Sequence, residues 1–427
     1  MQATPKALAL ALASLGLALL ALRGASPGLT AAAGAALLVL LAYMAGVAVE
    51  VEGALAQVEA SREPRLAKVV EGEEVRVRLR ISNPTRLTVY SLVAREEADE
   101  RLAPASPGVF GGSLPGGSVL EASYTIKPPP GLSRVNSVLL EAGDPLGLYR
   151  SRRRIWVTTS IQAYPRPYPP PSAPGERQGL AEALRAARRG WGFEFYSLRD
   201  YVPGDDIRLV AWLPSARAGR PVVRENVEER ILDACVFLDL SLESWAGPPG
   251  ESAAEWIMRA ALGVVEALAS SGGWACYRAF LGEASLRAGP ERARDLLEWM
   301  AEQLSSISPG HARRRLMLSR AAREFDEETP TGAVALYLIG PGAAERVLEA
   351  LRGSPRRWRA VVVEALPMGG DRLSQALARA FEAVDTRYIR SLSTLGVPAY
   401  IAGSPPALAA AIREGVLEVA RRGPLLH

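Results

Sequence analysis

Before residue 50 the chain carries two stretches without a single charge, Ala7 to Leu22 and Leu29 to Val49. As helices they measure about 24 Å and about 31 Å, against a hydrocarbon core of about 30 Å, so this region belongs in a bilayer rather than in a soluble core. Arg23, Gly24, Ser26, Pro27 and Gly28 make a polar turn between them, which predicts a transmembrane helical hairpin over residues 1–49 with both ends on one side. Lys6 precedes the hairpin and Arg62, Arg65 and Lys68 follow it, while the turn holds Arg23 alone. The positive-inside bias then places both ends, and the soluble domains, in the cytoplasm of a two-helix, multi-pass cell-membrane protein. The first stretch also fits a signal-peptide core, since Lys6 leads it and small residues follow near Ala25.

Elsewhere the composition is that of a globular protein, with 48% hydrophobic and 22% charged residues. Two cysteines, Cys235 and Cys276, are too few for a disulfide framework, and both sit in apolar runs as small buried hydrophobes would. The two histidines, His311 and His427, leave no His-rich zinc site and no conventional Ser-His-Asp centre. Lys6, Lys68 and Lys127 are the lysines, and none follows Walker A glycine spacing. A net charge of +4 with no interleaved aromatic pattern argues against nucleic acid as a partner. The arginine clusters at 152–154 and 313–315 read as solvated or lipid-facing patches.

Residues 66–162 read as a β-sandwich, Ig-like in size. Val75, Val77, Leu79 and Ile81 alternate with Arg76, Arg78 and Arg80, the two-residue period of a strand with one buried face. Further strands are predicted near 88–94, 119–126, 137–141 and 154–162, and the Gly- and Pro-rich stretch 104–117 reads as loop. Residues 163–230 form a linker, proline-crowded and stiff over 164–175, followed by a segment rich in acids and arginines. From 231 to 427 apolar runs at 235–240, 274–281, 334–339, 360–366 and 399–402 alternate with helical patterns at 257–268, 292–304, 344–351, 372–381 and 407–420. That alternation predicts a doubly wound α/β domain, in which ligands bind beyond the carboxyl ends of the strands, here from Asp239 to Ser244.

Three pieces together resemble the prokaryotic membrane-protein family known as domain of unknown function 58. They are Phe195-Tyr196-Ser197-Leu198-Arg199-Asp200-Tyr201-Val202-Pro203-Gly204-Asp205-Asp206-Ile207-Arg208 with Trp212 and Ser215-Ala216-Arg217, then Asp144-Pro145-Leu146-Gly147-Leu148, and Asp239-Leu240-Ser241. The resemblance implies a von Willebrand factor A-like C-terminal domain and association with MoxR-type AAA+ ATPases in a chaperone-like or envelope-related system. It further implies a non-catalytic interaction or adaptor protein. Complete A domains hold Mg²⁺ on an Asp-x-Ser-x-Ser loop, a distant Thr and a further Asp, and the ion takes a carboxylate from the partner. Here the loop offers Asp239, Ser241 and, one residue late, Ser244. Glu243 replaces the third ligand, no Thr stands clearly near Ser308-Pro309-Gly310-His311, and Gly340 follows Ile339 where the motif supplies Asp. Mg²⁺ is the one cofactor the pattern admits; the preferred reading is a helix cap or surface polar pair at Asp239 and Ser241.

The signature residues Arg199, Tyr201, Pro203, Gly204, Asp205, Asp206, Arg208, Trp212, Ala216 and Arg217 admit two readings. In the first, Asp200, Asp205, Asp206 and Glu225 gather as the carboxylates of a metal-dependent hydrolase. In the second, preferred here, 203–206 is a turn, Arg199, Arg208 and Arg217 pair with its acids, and Tyr201 and Trp212 pack the segment against the α/β domain. An adhesive receptor facing outward is a third possibility.

Overall fold

The structure, a computed structural model, describes residues 2–22, 27–105, 109–169, 175, 178–183, 197–202, 210–225, 232–330 and 332–422. Its residues fall into two compact units, 1–163 and 164–427.

The first unit opens with strand β1 (Gln2–Ala3) and helices α1 (Pro5–Leu22) and α2 (Pro27–Gln57). Among the described residues one stretch, Ala31–Gln57, is long and apolar enough to cross a membrane. The apolar part of α1, Pro5–Leu17, is too short to pass the same test, so the two expected spans reduce to one. Next come β2 (Glu59–Glu63), β3 (Leu66–Val70), β4 (Val75–Ser82), β5 (Val89–Ala98), β6 (Val109–Leu114), β7 (Val119–Ile126), β8 (Gly131–Gly143) and β9 (Tyr149–Tyr164). They form one sheet in the order β1-β9-β8-β5-β6, with β3 also on β9, and a second in the order β2-β4-β7. The alternation read in the sequence is realised in β4, where Val75, Val77, Leu79 and Ile81 are buried and the arginines between them exposed. Leu79 and Ile81 of the smaller sheet share a core with Leu92, Ala94, Val138 and Leu140 of the larger. Val51, Ala54 and Leu55 enter the same core, so the last turns of α2 are part of the domain rather than a tether. Arg153, expected in a solvated cluster, instead caps that helix: its Nη1 donates to the carbonyls of Leu55 (2.6 Å) and Val58 (2.8 Å). The stretch read as loop holds β6, whose sequence Val-Phe-Gly-Gly-Ser-Leu gives no strand period.

In the second unit β10 (Ser197–Asp200) pairs antiparallel with β11 (Val222–Glu225), and the short helix α3 (Trp212–Ala218) lies between them in sequence. The main sheet comprises β12 (Leu232–Asp239), β13 (Trp274–Phe280), β14 (Ser285–Arg292), β15 (Val334–Ile339), β16 (Ala360–Ala365) and β17 (Ala399–Ala402). Its order is β14-β13-β12-β15-β16-β17, parallel except for β14. Helices α4 (Ala253–Ser270), α5 (Ala293–Ser305) and α9 (Pro405–Arg422) cover one face, and α6 (Leu318–Glu328), α7 (Ala344–Leu351) and α8 (Arg372–Thr394) the other. That double cover explains why β15 and β16 are buried at every residue and read as continuous apolar runs. A capping box, Ser252 with Glu255, starts α4.

Two expectations change here. Cys235 and Cys276 are register partners on β12 and β13 and form a disulfide, with Cα atoms 4.5 Å apart. Their separation of 41 residues hid the pairing, which only the register reveals. The proline-rich segment is also no free linker over its described part. The Tyr168 N–H donates to the Arg259 carbonyl at 3.0 Å, and its ring meets Trp256 edge-on. Gly263 permits this, because a Cβ there would stand 1.9 Å from the Tyr168 oxygen.

Candidate functional site

The carboxyl end of β12 is where a parallel sheet of this kind exposes its ligand-binding crevice. Asp239 ends the strand fully buried, as are Ser241 and Ser244 just beyond it. The Asp239 Oδ1 accepts the Ser241 N–H at 3.1 Å and Oδ2 accepts the Gly340 N–H, from the end of β15, at 3.2 Å. Ser241 does stand at the start of a short helical turn, Leu242–Trp245, but its side chain caps nothing. The expectation of a cap or a surface pair therefore fails on burial and on bonding.

Arg315 completes the cluster. It is 8% exposed, with Nη1 3.5 Å from Asp239 Oδ2 and Nε 3.4 Å from Glu243 Oε2. The cluster at 313–315 is expected to be solvated or lipid-facing, but a loop that carries the Arg313 carbonyl to the Leu242 N–H at 2.9 Å turns Arg315 inward. Its Nη2, and the Oγ atoms of Ser241 and Ser244, make no hydrogen bond. Ser244 occupies the space a side chain at position 340 would need, since a Cβ on Gly340 would fall 2.0 Å from Ser244 Oγ. This is a physical reason for glycine at that position.

A second acid pair lies behind. Glu364 at the end of β16 and Asp385 on α8 are both buried, and both accept the N–H of Gly342, at 3.0 Å and 2.8 Å. Burial drives the Glu364 carboxyl well above the ordinary range, and Asp385 pushes the same way, against the Gly342 N–H and the Arg315 charge. The signal missed in the sequence was a glutamate closing the apolar run Val361-Val362-Val363.

These donors do not fit a resident Mg²⁺. A hard dication needs several oxygen ligands, and the Asp239 carboxylate already faces two N–H groups and a guanidinium that supplies the positive charge. Among the described residues no group of three or more His, Cys, Asp or Glu is placed to hold a metal.

The signature segment is only partly assembled within the described residues; Pro203, Gly204, Asp205, Asp206 and Arg208 lie outside them. Asp200 pairs with Arg220 at 2.7 Å on the surface, a partner the sequence reading did not name. Ser197 faces Glu225 across the β10–β11 ribbon and Asp200 faces Val222. Asp200 and Glu225 thus stand at opposite ends of the ribbon, three residues or about 10 Å apart. The Tyr201 N–H donates to the Pro221 carbonyl at 3.0 Å. Arg199 lies on β10, and Ala216 and Arg217 are exposed on α3. Trp212, expected to pack against the domain, is 71% exposed beside an exposed Leu213, because α3 buries none of its residues.

A family model described as Protein of unknown function DUF58 matches residues 197–340, from the signature ribbon through β15. No curated protein matches the chain. Among solved structures, the complex of zinc 2-glycoprotein and prolactin inducible protein from human seminal plasma is 10% identical, with a TM-score of 0.21, over 25% of this chain and 92% of that one. Native alpha-2-macroglobulin from Escherichia coli, from a late domain to its C-terminus, is 11% identical, with a TM-score of 0.20, over 86% of this chain and 65% of that one. The alkylpurine DNA glycosylase of Pseudomonas fluorescens is 18% identical, with a TM-score of 0.17, over 32% of this chain and 40% of that one. Likenesses this slight carry no functional reading.

Proposed function

We propose that the chain is a membrane-anchored, non-catalytic interaction protein whose second unit is a von Willebrand factor A-like receptor domain. In this reading α2 anchors the chain in the membrane with the soluble parts in the cytoplasm, and the partner is a MoxR-type AAA+ ATPase of a chaperone-like or envelope-related system. One observation carries it: at the carboxyl end of β12, above the buried Arg315 and Ser241, Leu242, Leu316 and Met317 are 45%, 72% and 47% exposed. A polar anchor with apolar side chains turned outward around it has the make-up of a protein-binding face. The Arg315 guanidinium, buried beneath that face, favours a partner that brings an acidic group to it. Arg315 then takes the role that Mg²⁺ has in complete A domains. The sheet order, with a lone antiparallel edge strand, supports the domain assignment. The separation of Asp200 from Glu225 weighs against the alternative, a carboxylate hydrolase.

The test is co-purification of the full chain from detergent-solubilised membranes. The wild type should retain an AAA+ ATPase, and Leu316→Asp should release it while the chain stays folded by circular dichroism. Equal recovery with both proteins, or metal-dependent turnover by the wild type, would remove the proposal.

A further inference from the structure

The turn Asp144-Pro145-Leu146-Gly147-Leu148, singled out in the sequence, has no part in the site above. Gly147 N–H closes it on the Asp144 carbonyl at 3.1 Å, with Pro145 at the position where its fixed φ suits a turn and Gly147 at φ +69°. Its bonds run to the apolar helices. Asp144 Oδ2 accepts the hydroxyl of Tyr43, on α2, at 2.8 Å, while Oδ1 accepts the Tyr149 N–H at 2.7 Å. Thr4, the residue before α1, donates its N–H to the Leu148 carbonyl at 3.0 Å and its hydroxyl to the Gly147 carbonyl at 2.8 Å. The turn therefore grips the entry of α1 and, at the same level, the side of the helix that is apolar enough to cross a membrane.

Tyr43 lies 16 residues from the start of α2, about 24 Å along the axis, most of a hydrocarbon thickness. A tyrosine at that depth, with its ring on the helix and its hydroxyl on a carboxylate, is the usual occupant of a membrane–water boundary. Beyond the grip, the tip of the turn is bare: Pro145 is exposed and Leu146 is 61% exposed. Arg150, two residues past Leu148, is exposed at the same end of β9, which pairs there with Gln2.

From this geometry we infer that the Asp144–Leu148 turn is a membrane seat: Leu146 dips into the lipid at the headgroup boundary of the bilayer that α2 crosses, and Arg150 faces the phosphates. The occupant is the bilayer itself, because the surface is continuous with the spanning helix and is tied to it through Tyr43. An apolar tip beside a cation matches the boundary between acyl chains and anionic headgroups. The inference rests on α2 crossing the membrane, and the test separates the two claims.

The experiment uses the full chain with Leu146→Cys, labelled with a nitrobenzoxadiazole fluorophore while Cys235 and Cys276 remain paired. It is reconstituted in phosphatidylcholine–phosphatidylglycerol vesicles carrying a nitroxide high on the acyl chain. Val39→Cys, on the exposed side of α2, and Glu121→Cys, on the exposed face of β7, serve as references. The label at 146 should be quenched at least half as strongly as at 39, and the label at 121 hardly at all. Quenching at 146 no greater than at 121, with 39 quenched, overturns the seat and leaves the span standing. Loss of quenching at 39 as well overturns both.

Discussion

Each of the two units buries an arginine against a carboxylate, and the two pairs are built differently. In the first, Arg62 and Glu96 have side chains with no exposure at all. Arg62 Nε donates to Glu96 Oε1 at 3.3 Å and Nη2 bonds Oε2, while Nη1 serves the carbonyls of Val135 (3.0 Å) and Val157. The Tyr124 hydroxyl adds a further bond to Glu96 at 3.0 Å. In the second unit, Arg315 reaches Asp239 only at 3.5 Å and keeps Nη2 unused, with two bare serine hydroxyls nearby. Saturation marks a pair that fixes sheet packing. The second pair is the less fully bonded, and an unmet buried polar atom costs about 1–3 kcal/mol.

The largest break in this comparison comes from Glu96→Ala, which strands a buried guanidinium. Unfolding in detergent should show a loss of about 3–5 kcal/mol, whereas the joint replacement Arg62→Met with Glu96→Leu should restore most of it. Arg315→Gln should cost less, about 1–3 kcal/mol, since Asp239 keeps the N–H groups of Ser241 and Gly340. Equal losses at the two sites would erase the distinction. Next is pH. The Glu364 carboxyl is raised in the folded state, chiefly by burial, so it stays protonated there after its unfolded counterpart has ionised. Its contribution is complete below the ordinary carboxyl pKa and declines as pH rises through the raised folded value, by up to about 1.4 kcal/mol per pH unit. Glu364→Gln should flatten that part of a stability-versus-pH curve for the full chain. The smallest loss sharpens the contrast: Ser241→Ala removes a buried hydroxyl with no partner and should cost nothing, the fold gaining up to about 1–3 kcal/mol. Tyr124→Phe, which deletes a bond to a carboxylate, should cost about 1.5–3 kcal/mol. A Ser241→Ala loss as large as that would mean the hydroxyl is already engaged.

Much of the scaffold was legible in the sequence because burial on one or both faces writes a period. Val75 to Ile81 alternates, and the runs at 334–339 and 399–402 match β15 and β17 end to end. Several strands escaped, β6 in the stretch read as loop among them. Glu59–Glu63 is mostly polar, Leu66–Val70 is an exposed edge, and β14 holds Gly289-Pro290 in its middle. The site was half legible: Asp239 and Ser241 were found from their place after a strand. Arg315, Glu364 and Asp385 reach it from distant segments, through a loop, a strand end and a helix. No spacing rule brings such residues together, as none joins Cys235 to Cys276.

The most direct test puts a photo-crosslinking amino acid at position 316 of the full chain in its native membrane, with and without Arg315→Gln. The account predicts one discrete adduct with an AAA+ ATPase, lost when Arg315 is replaced while the chain remains folded. An adduct of unchanged yield in the variant, or none in either protein, would contradict a binding face anchored by that arginine.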